Sequence, residues 1–426
     1  QAEDGIRDRS PSRGLGDVYK RQILDSMKAD FPKIVANPNK YRLQIIYTQV
    51  DRNPDQLPSF TTYYYHFDPE KYFYPASTVK FPATVLGLEK VNHYQSLGLK
   101  KESPLTVGVG FEGQTAVYED STSENRKASI DHYIKKIFVV SDNDAYNRLY
   151  ELLGQDGFNQ RMWDLGYPET RIRHRLSIPL SLEQNRYTNP ITFYDEKGKQ
   201  LFNQPQRRSV LNLSVNSNEN LIGKAHLENS KMVDTPMDFS VKNFFNLDEQ
   251  QRFLRQIIFP STASEYSRLD LTQDDYVFLY EWMSKLPRES HYPSYPDYDK
   301  YYDGYCKFFM YGSVKEEIPD YIRIFNKVGL AYGFLTDNAY IIDTKNGLEF
   351  FLSAVIYVNE NQILNDDVYE FKEKGLPFFT ELGNRIYEHE LNRQRIIKPD
   401  FSHLYFCLLY TSDAADDTPC VDLGGR

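Results

Sequence analysis

Ser77 and Lys80 are the residues of this sequence whose types and spacing best suit covalent catalysis. They form the chain's only Ser-x-x-Lys pattern, and side chains three positions apart on a helix share a face, about 5 to 6 Å apart. A serine hydroxyl needs a nearby base before it can attack a carbonyl, and a lysine serves when burial or a second cation keeps its amine neutral. The pattern therefore predicts acyl chemistry with Ser77 as nucleophile and Lys80 as base, although such four-residue patterns also occur by chance.

A second group of polar residues lies in a predicted break between two helices. There Ser141 could relay a proton to a leaving group, while Asn143 could hold neighbouring groups or a substrate amide. Looser Ser-x-Asn matches occur at 123–125 and 214–216. The position in a helix break favours Ser141 over both of them.

A third element, Lys327-Val328-Gly329, is predicted at the start of a strand. Lys327 could anchor a substrate carboxylate and lower the pKa of Lys80, and Gly329 would let the substrate approach the backbone. The similar pattern at 345–347 is better explained as a hairpin turn, because Asn-Gly favours a type I′ turn.

In content and order these three elements resemble the signature of class A β-lactamases and penicillin-binding proteins. The resemblance spans most of residues 23–406, and residues 331–340 resemble the family's strand-turn-strand after the third element. It implies a penicillin-recognising serine hydrolase that forms an acyl-enzyme on Ser77. It further implies an oxyanion hole from the backbone N–H groups of Ser77 and Leu330, with Ser141 and Lys327 as catalytic partners. A bacterial enzyme of the periplasm or the exterior, acting without a cofactor on a small or peptide-like acyl substrate, follows from the same resemblance.

The sequence departs from the family pattern at two places. Val328 stands where the family usually has Thr or Ser, so the hydroxyl that helps hold a β-lactam carboxylate is missing. Residues 165–172 resemble the approach to the glutamate that directs water at the acyl-enzyme in class A enzymes, yet 173–180 contains no acidic residue, and Glu183 is the nearest downstream substitute. A positioned general base is worth about 10² to 10⁴ in rate, so we expect normal acylation but slow deacylation with a β-lactam.

Two interpretations remain open for a basic cluster in the same loop. It consists of Arg171, Arg173, His174 and Arg175. These side chains either form salt bridges with helix ends or bind a substrate anion. A different functional class is open as well, namely a non-catalytic sensor of cell-wall fragments or β-lactams that retains the pocket.

The hydrophobic periodicity predicts which elements carry these residues. In chain order they are a helix at 23–35, strands at 41–50 and 60–67, helices at 77–95, 130–140 and 145–153, a hairpin at 191–202, helices at 247–258 and 273–284, strands at 321–326, 330–343 and 348–359, and a helix at 377–394. This order predicts a mixed α/β (α+β) fold of the β-lactamase and transpeptidase type. We expect an antiparallel sheet from 23–75 and 320–406 with flanking terminal helices, an all-helical part with an insertion at 76–319, and the active site between them.

Composition excludes several other classes of function. The formal net charge of −10 argues against a general nucleic-acid binder, and the longest apolar run, 350–358, is too short to span a membrane. The histidines show no metal-binding spacing, so we predict no catalytic metal, and we expect a monomer. A Tyr-rich segment at 291–311 either covers the core or forms a surface that contacts a sugar or peptidoglycan.

Both ends of the chain differ in composition from the rest. Residues 1–22 and 407–426 lack apolar periodicity, and we expect them to be non-native flanks, with the natural N-terminus and any signal peptide missing. Without the last segment only Cys306 remains, so no disulfide framework is predicted.

Overall fold

A computed structural model describes residues 23–213, 219–402 and 404. The two predicted flanks and the Ser-x-Asn match at 214–216 lie outside these residues. The α-helices of five or more residues are α1 Pro32–Ala36, α2 Lys80–His93, α3 Ile130–Val140, α4 Asn143–Asp164, α5 Leu182–Arg186, α6 Leu247–Ile258, α7 Gln273–Ser284 and α8 Leu376–Asn392. The strands are β1 Gln44–Arg52, β2 Pro58–Tyr65, β3 Leu105–Val107, β4 Ile191–Tyr194, β5 Gln200–Gln204, β6 Leu221–Ile222, β7 Ala225–Glu228, β8 Lys231–Val233, β9 Met237–Asp238, β10 Ile322–Ala331, β11 Phe334–Asp343, β12 Leu348–Tyr357 and β13 Ile363–Leu364.

The main sheet combines strands from both ends of the chain, in the order β10-β11-β12-β1-β2. Each neighbouring pair is antiparallel. The mixed α/β architecture with an antiparallel sheet, predicted from the sequence, is confirmed. Because β10 is at the edge of the sheet, one side of this strand is open to other parts of the molecule.

The central strands are buried on both faces. Every residue of β11 and β12 is buried, and successive side chains of a strand point to opposite faces. Tyr340 and Phe351 belong to the apolar core under the helical part, while Ile341 and Phe350 belong to a second core under the terminal helices. Helices on both faces explain why every residue of these strands is buried, including the polar residues Thr336, Asp337 and Asn338 of β11.

The helical part is organised around α2. Ten of its residues, including Lys80 at its first position, are buried. It packs against α4, where Gly87 lies so close to Leu149 that an added Cβ would be 3.4 Å from a side-chain carbon. Among the described residues, no helix is long and apolar enough to cross a membrane.

Three short sheets complete the region between the helices. β4 and β5 pair antiparallel as the predicted hairpin, with β3 on their other side. β6 pairs with β9, and β7 lies between β8 and β13. The predicted helices at 247–258 and 273–284 correspond to α6 and α7.

Three local predictions are wrong. The predicted opening helix 23–35 is interrupted after residue 26, and a second helix, α1, begins at Pro32, because proline fits the first turn of a helix but not its interior. Lys327 lies in the second half of β10 and does not begin a strand. The hairpin at Asn346-Gly347 is not a two-residue turn, because Asp343 pairs with Leu348 and its Oδ1 accepts the N–H of Asn346 at 2.9 Å.

The tight turn lies instead between β10 and β11. Ala331 pairs with Phe334 across two residues, Tyr332 and Gly333, whose φ angles are 54° and 79°. Positive φ at both central positions is the requirement of a type I′ turn. This turn allows β10 to continue without interruption through Lys327, Val328 and Gly329.

Candidate active site

Ser77 lies in a 3₁₀ turn, Ala76–Val79, that leads directly into α2. The preceding residue, Ala76, has a φ of 48°, which is a rare conformation for a residue with a Cβ. Ser77 is partly exposed, and no hydrogen bond of its hydroxyl is found among the described residues. The turn therefore presents the Ser77 hydroxyl to solvent or to a ligand.

Lys80 is fully buried beneath this turn. Its Nζ donates to Asn143 Oδ1 at 2.6 Å and to Ser141 Oγ at 3.2 Å, and it also contacts the Ser141 carbonyl oxygen. Burial, and next the positive charge of Lys327, lower the pKa of Lys80 well below the usual range of a lysine, against the opposing effect of Asp142. A neutral Lys80 amine is the form that can accept a proton.

Ser141 and Asp142 form the break between α3 and α4, and Asn143 is the first residue of α4. Ser141 ends α3 in the left-handed conformation, with a φ of 59°. Asp142 caps α4, because its Oδ1 accepts the N–H of Ala145 at 2.8 Å. The break turns Ser141 and Asn143 toward Lys80, as the hydrogen bonds above describe.

Lys327 approaches the same hydroxyl from the sheet. Its Nζ donates to Ser141 Oγ at 2.8 Å and to the Val328 carbonyl at 3.0 Å. Burial lowers the pKa of Lys327 to about 8. Since two lysines donate to Ser141 Oγ, the proton of that hydroxyl is available for a third group.

Gly329 brings β10 against the Ser77 turn. An added Cβ at this position would lie 2.6 Å from the Pro75 carbonyl oxygen and 3.1 Å from the Ser77 nitrogen. The close neighbour of Gly329 is therefore the protein backbone around Ser77. This packing by itself requires a glycine at position 329.

The register of β10 determines the direction of the Leu330 N–H. Ala331 pairs with Phe334 beside the turn, and Leu330 pairs with Leu335. In antiparallel strands, hydrogen-bonded and non-hydrogen-bonded pairs alternate, and the pair that flanks a two-residue turn is hydrogen-bonded. The N–H of Leu330 therefore points away from β11, at the open edge of the sheet.

We expect Gly329→Ala to slow acylation of Ser77 by about 10²-fold, because the new methyl group would displace the Ser77 turn, and misplacement by about 1 Å can cost that much. The measurement is the rate of covalent adduct formation with a simple ester, followed by intact-mass spectrometry. Gly157→Ala is the control, since a Cβ there meets no atom within 4 Å. Equal rates in the two variants would show that the turn does not depend on Gly329.

Two clefts meet at Ser77, and both also contain Asn143 and Leu330. The larger has a volume of about 930 Å³ and includes Ser141 in its wall. The smaller has a volume of about 440 Å³ and includes Ser177. The structure thus places Ser77 where two separate parts of a ligand could lie on either side of it.

The loop 171–180 is anchored by buried polar contacts. Arg175 Nε donates to Glu151 Oε1 at 2.8 Å, and both side chains are almost completely buried. Asn147 holds the next residue, Leu176, through its N–H at 2.8 Å and its carbonyl oxygen at 3.0 Å. The next residue in the chain, Ser177, is consequently held at the edge of the smaller cleft.

Ser177 is a site residue that sequence reasoning missed. Its Oγ accepts a hydrogen bond from Asn143 Nδ2 at 2.8 Å, and the Oδ1 of the same amide accepts from Lys80. The sequence did offer a signal for Ser177, because this residue lies within 173–180, the segment in which the glutamate of class A enzymes is expected. Glu183, the substitute considered from the sequence, is exposed and pairs with Arg208 at 2.8 Å, away from both clefts.

The basic cluster in this loop makes structural contacts. Arg171 donates to the carbonyl oxygens of Pro168 and Thr170, at 2.6 and 2.8 Å. Arg173 donates to the carbonyl oxygen of Ser240 at 3.0 Å. Together with the Arg175–Glu151 pair, these contacts favour the structural interpretation over a substrate-anion site.

The model of the β-lactamase enzyme family matches residues 34–216. Over these residues the chain is similar to that family. The β-lactamase-family match includes Ser77, Lys80, Ser141 and Asn143, while Lys327 lies beyond its end and is brought to Ser141 by the fold. The comparison with curated proteins gives no match.

Solved β-lactamase structures are also similar to this chain. The structure from Desulfarculus baarsii is 12% identical, with a TM-score of 0.47 and coverage of 88% of this chain and 98% of that one. The structure from Streptosporangium roseum is 14% identical, with a TM-score of 0.46 and coverage of 87% and 98%. The structure from Xanthomonas campestris is 12% identical, with a TM-score of 0.43 and coverage of 86% and 98%.

Within the part of the chain that the structure describes, no three His, Cys, Asp or Glu side chains form a group that could hold a metal ion. The polar groups that converge near Ser77 are instead amines, hydroxyls and an amide.

Proposed function

We propose that the protein is a serine hydrolase that acts through an acyl-enzyme on Ser77, with an amide, ester or β-lactam as substrate. The observation that carries the proposal is the convergence of Lys80 and Lys327 on the Ser141 hydroxyl, beside the cleft that Ser77 lines. These residues come from three distant parts of the chain. The β-lactamase-family match supports the hydrolase rather than the sensor that the sequence left open.

Acylation would begin with attack of Ser77 Oγ on the substrate carbonyl carbon. The Ser77 proton passes to the neutral Lys80 amine, while the backbone N–H groups of Ser77 and Leu330 stabilise the oxyanion. When the tetrahedral intermediate collapses, the bond to the leaving group breaks and Ser141 donates a proton to it. Lys80 then returns its proton to Ser141, with which it is in hydrogen-bond contact at 3.2 Å.

Lys327 contributes its charge and its contact with Ser141. Its ammonium lowers the pKa of Lys80, which favours the amine needed as the base. Its hydrogen bond at 2.8 Å orients Ser141 toward the leaving group. Asn143 orients Lys80 from the other side and presents its amide nitrogen to Ser177.

Release of the acyl group requires water, and residues 173–180, which include Ser177 in the smaller cleft, contain no acidic residue that could activate it. Among the described residues, the acidic residue that lines this cleft is Asp367. Val328 is almost wholly buried in the apolar core under the terminal helices and has no hydroxyl for a β-lactam carboxylate. Both features support slow deacylation of a β-lactam rather than efficient antibiotic hydrolysis. We also propose that the enzyme acts as a monomer in the periplasm or outside the cell, as the family suggests.

Intact-mass spectrometry after incubation with a penicillin and with a simple ester tests this function. We expect a covalent adduct on Ser77 with both compounds, and a penicillin adduct that persists. Rapid turnover of the penicillin would contradict slow deacylation. The absence of an adduct with either compound would contradict the hydrolase.

We expect Ser177→Glu to accelerate loss of the penicillin adduct by up to about 10²-fold, the lower end of what a positioned general base supplies. Ser177 is exposed, and its side chain accepts a hydrogen bond from Asn143 at 2.8 Å, which a carboxylate could also accept. The measurement is the decay of the adduct mass with time. Ser177→Gln provides similar size without a base, and equal decay in the Glu and Gln variants would argue against this position as the site of the missing base.

A further inference from the structure

The Tyr-rich segment 291–311 forms one wall of the larger cleft at Ser77. Tyr301, Tyr302 and Tyr305 line this cleft together with Ser77 and Ser141. Their rings are partly exposed, and the rings of Tyr301 and Tyr305 lie 5.2 Å apart. A wall of this kind offers ring faces and hydroxyls to a bound molecule.

Buried contacts connect this wall firmly to the main sheet. Asp337 on β11 accepts the N–H of Phe308 at 3.1 Å, and Asn326 on β10 donates to the Cys306 carbonyl oxygen at 2.9 Å. Lys307 Nζ donates to Asn326 Oδ1 at 2.7 Å. The residues that follow Tyr305 are therefore held on β11 and on β10, the strand that carries Lys327.

Positive charge accumulates along the outer part of the same cleft. Lys300, Lys315 and Lys372 line it. Lys315 pairs with Asp299 at 3.2 Å, whereas no carboxylate of the described residues lies within ion-pair distance of Lys300 or Lys372. Lys300 Nζ lies 4.8 Å from the centre of the Tyr301 ring, so a cation and a ring face are adjacent in this wall.

Lys327, which donates to Ser141 but does not itself line this cleft, is not available for an anion. Lys327 is 2% exposed, and its Nζ is engaged by Ser141 Oγ and the Val328 carbonyl oxygen. Val328 offers no hydroxyl beside it. An anionic group of a substrate would therefore find its free cations farther out, at Lys300 and Lys372.

We propose that the leaving-group portion of the substrate occupies the larger cleft, with a ring against Tyr301 and an anionic group, carboxylate or phosphate, between Lys300 and Lys372. This assignment rests on the proposed function, in which Ser141 donates a proton to the leaving group. Because Ser141 lines the larger cleft, the leaving group must lie there. In the reaction the Ser77 Oγ–acyl carbon bond forms and the acyl carbon–leaving group bond breaks. The leaving group departs with the proton from Ser141, and water later releases the acid from Ser77.

Four acetate esters with different phenols as leaving groups test this assignment. The phenols carry a carboxylate, a phosphate, a neutral carboxamide or a trimethylammonium group, and each enzymatic kcat/KM is divided by the rate of uncatalysed hydrolysis of the same ester. In the wild-type protein we expect the anionic esters to be preferred over the neutral one, and the cationic ester to be the poorest. The ratio of the normalised kcat/KM values of the carboxylate and phosphate esters shows which of the two anions the site prefers. The preference for anionic over neutral esters should weaken at high salt.

The double variant Lys300→Glu and Lys372→Glu should lower the anionic-to-neutral ratio by about tenfold or more, because two attractions become repulsions. The neutral ester is the reference for this ratio in both proteins, and a melting temperature close to that of the wild type shows that the variant is folded. Lys345→Gln is a suitable control, since Lys345 is exposed and lies 5.1 Å from a tyrosine ring centre but lines neither cleft.

Each outcome separates the two proposals. If the neutral ester acylates Ser77 but the anionic-to-neutral ratio is the same in the double variant and the wild type, the anion site is wrong while the hydrolase stands. A wild-type preference for the cationic ester would overturn the anion site in the same way. If none of the four esters acylates Ser77, the proposed function fails, and the cleft assignment fails with it.

Discussion

Ser77→Ala is expected to abolish the covalent adducts with penicillin and with a simple ester, a loss of about 10⁴-fold or more in acylation rate. Ser77 is partly exposed, and its hydroxyl forms no hydrogen bond within the described part of the chain. The substitution therefore removes the nucleophile and little else. We expect the free energy of unfolding to change by less than about 0.5 kcal/mol, as for an exposed substitution.

The adduct mass and the melting temperature measure these two effects. Ser96→Ala is the control, because Ser96 is an exposed serine just beyond the other end of α2. Binding of penicillin to Ser77→Ala distinguishes an enzyme from a sensor. A wild-type protein that binds penicillin reversibly without an adduct, and a variant that binds equally well, would contradict acyl chemistry.

Lys80→Met is expected to slow acylation of Ser77 by about 10² to 10⁴-fold, the usual contribution of a general base. Methionine fills nearly the same buried volume but cannot accept the Ser77 proton. The substitution also leaves Asn143 Oδ1 without its partner at 2.6 Å, so some loss of stability is expected as well. A rate measurement alone would not separate these two effects.

The pH dependence of acylation does separate them. Burial and Lys327 lower the pKa of Lys80, and the base form is the neutral amine, so the wild-type rate should rise with pH and level off above this lowered pKa. The plateau should begin well below the pH at which an ordinary lysine loses its proton. In Lys80→Met this rising limb should be absent, and acylation should no longer depend on the titration of a lysine at this position.

Lys90 offers a matched control on the same helix. Its amine donates to Gln204 Oε1 at 2.6 Å, and burial, with a smaller effect of Arg207, lowers its pKa to about 7. Lys90 lines neither cleft at Ser77. Lys90→Met should therefore lose a buried amine of similar kind while retaining the rising limb. Loss of the limb in Lys90→Met, or its retention in Lys80→Met, would show that Lys80 is not the base.

Most of the elements could be predicted from the sequence because their signals are local. α6 and α7 follow from apolar residues at helical spacing, and β1 and β2 from β-branched and aromatic residues. The opening helix and the hairpins that join β10 to β11 and β11 to β12 were predicted less well. There the outcome depends on Pro32 and on which pair of residues can adopt positive φ, and both depend on the surrounding packing.

The local signal at Asn346-Gly347 shows this competition clearly. Asn-Gly is a strong two-residue hairpin pattern, yet β11 and β12 are joined by the four residues 344–347. The register of these two strands pairs ten residues, from Phe334–Tyr357 to Asp343–Leu348. A register that buries so many side chains outweighs the preference of one dipeptide, since a shift by one residue would expose the whole apolar face.

The sequence alone determined the chemical types in the site, because Ser77, Lys80, Ser141, Asn143 and Lys327 stand out by motif and spacing. It also determined the antiparallel sheet built from both ends of the chain. Only the tertiary structure decided which groups meet: Ser141 Oγ with two lysines, Ser177 with Asn143, and Gly329 with the Ser77 turn. The physical reason is that these contacts join residues far apart in the chain, and their distances depend on how the strands and helices pack rather than on any local pattern.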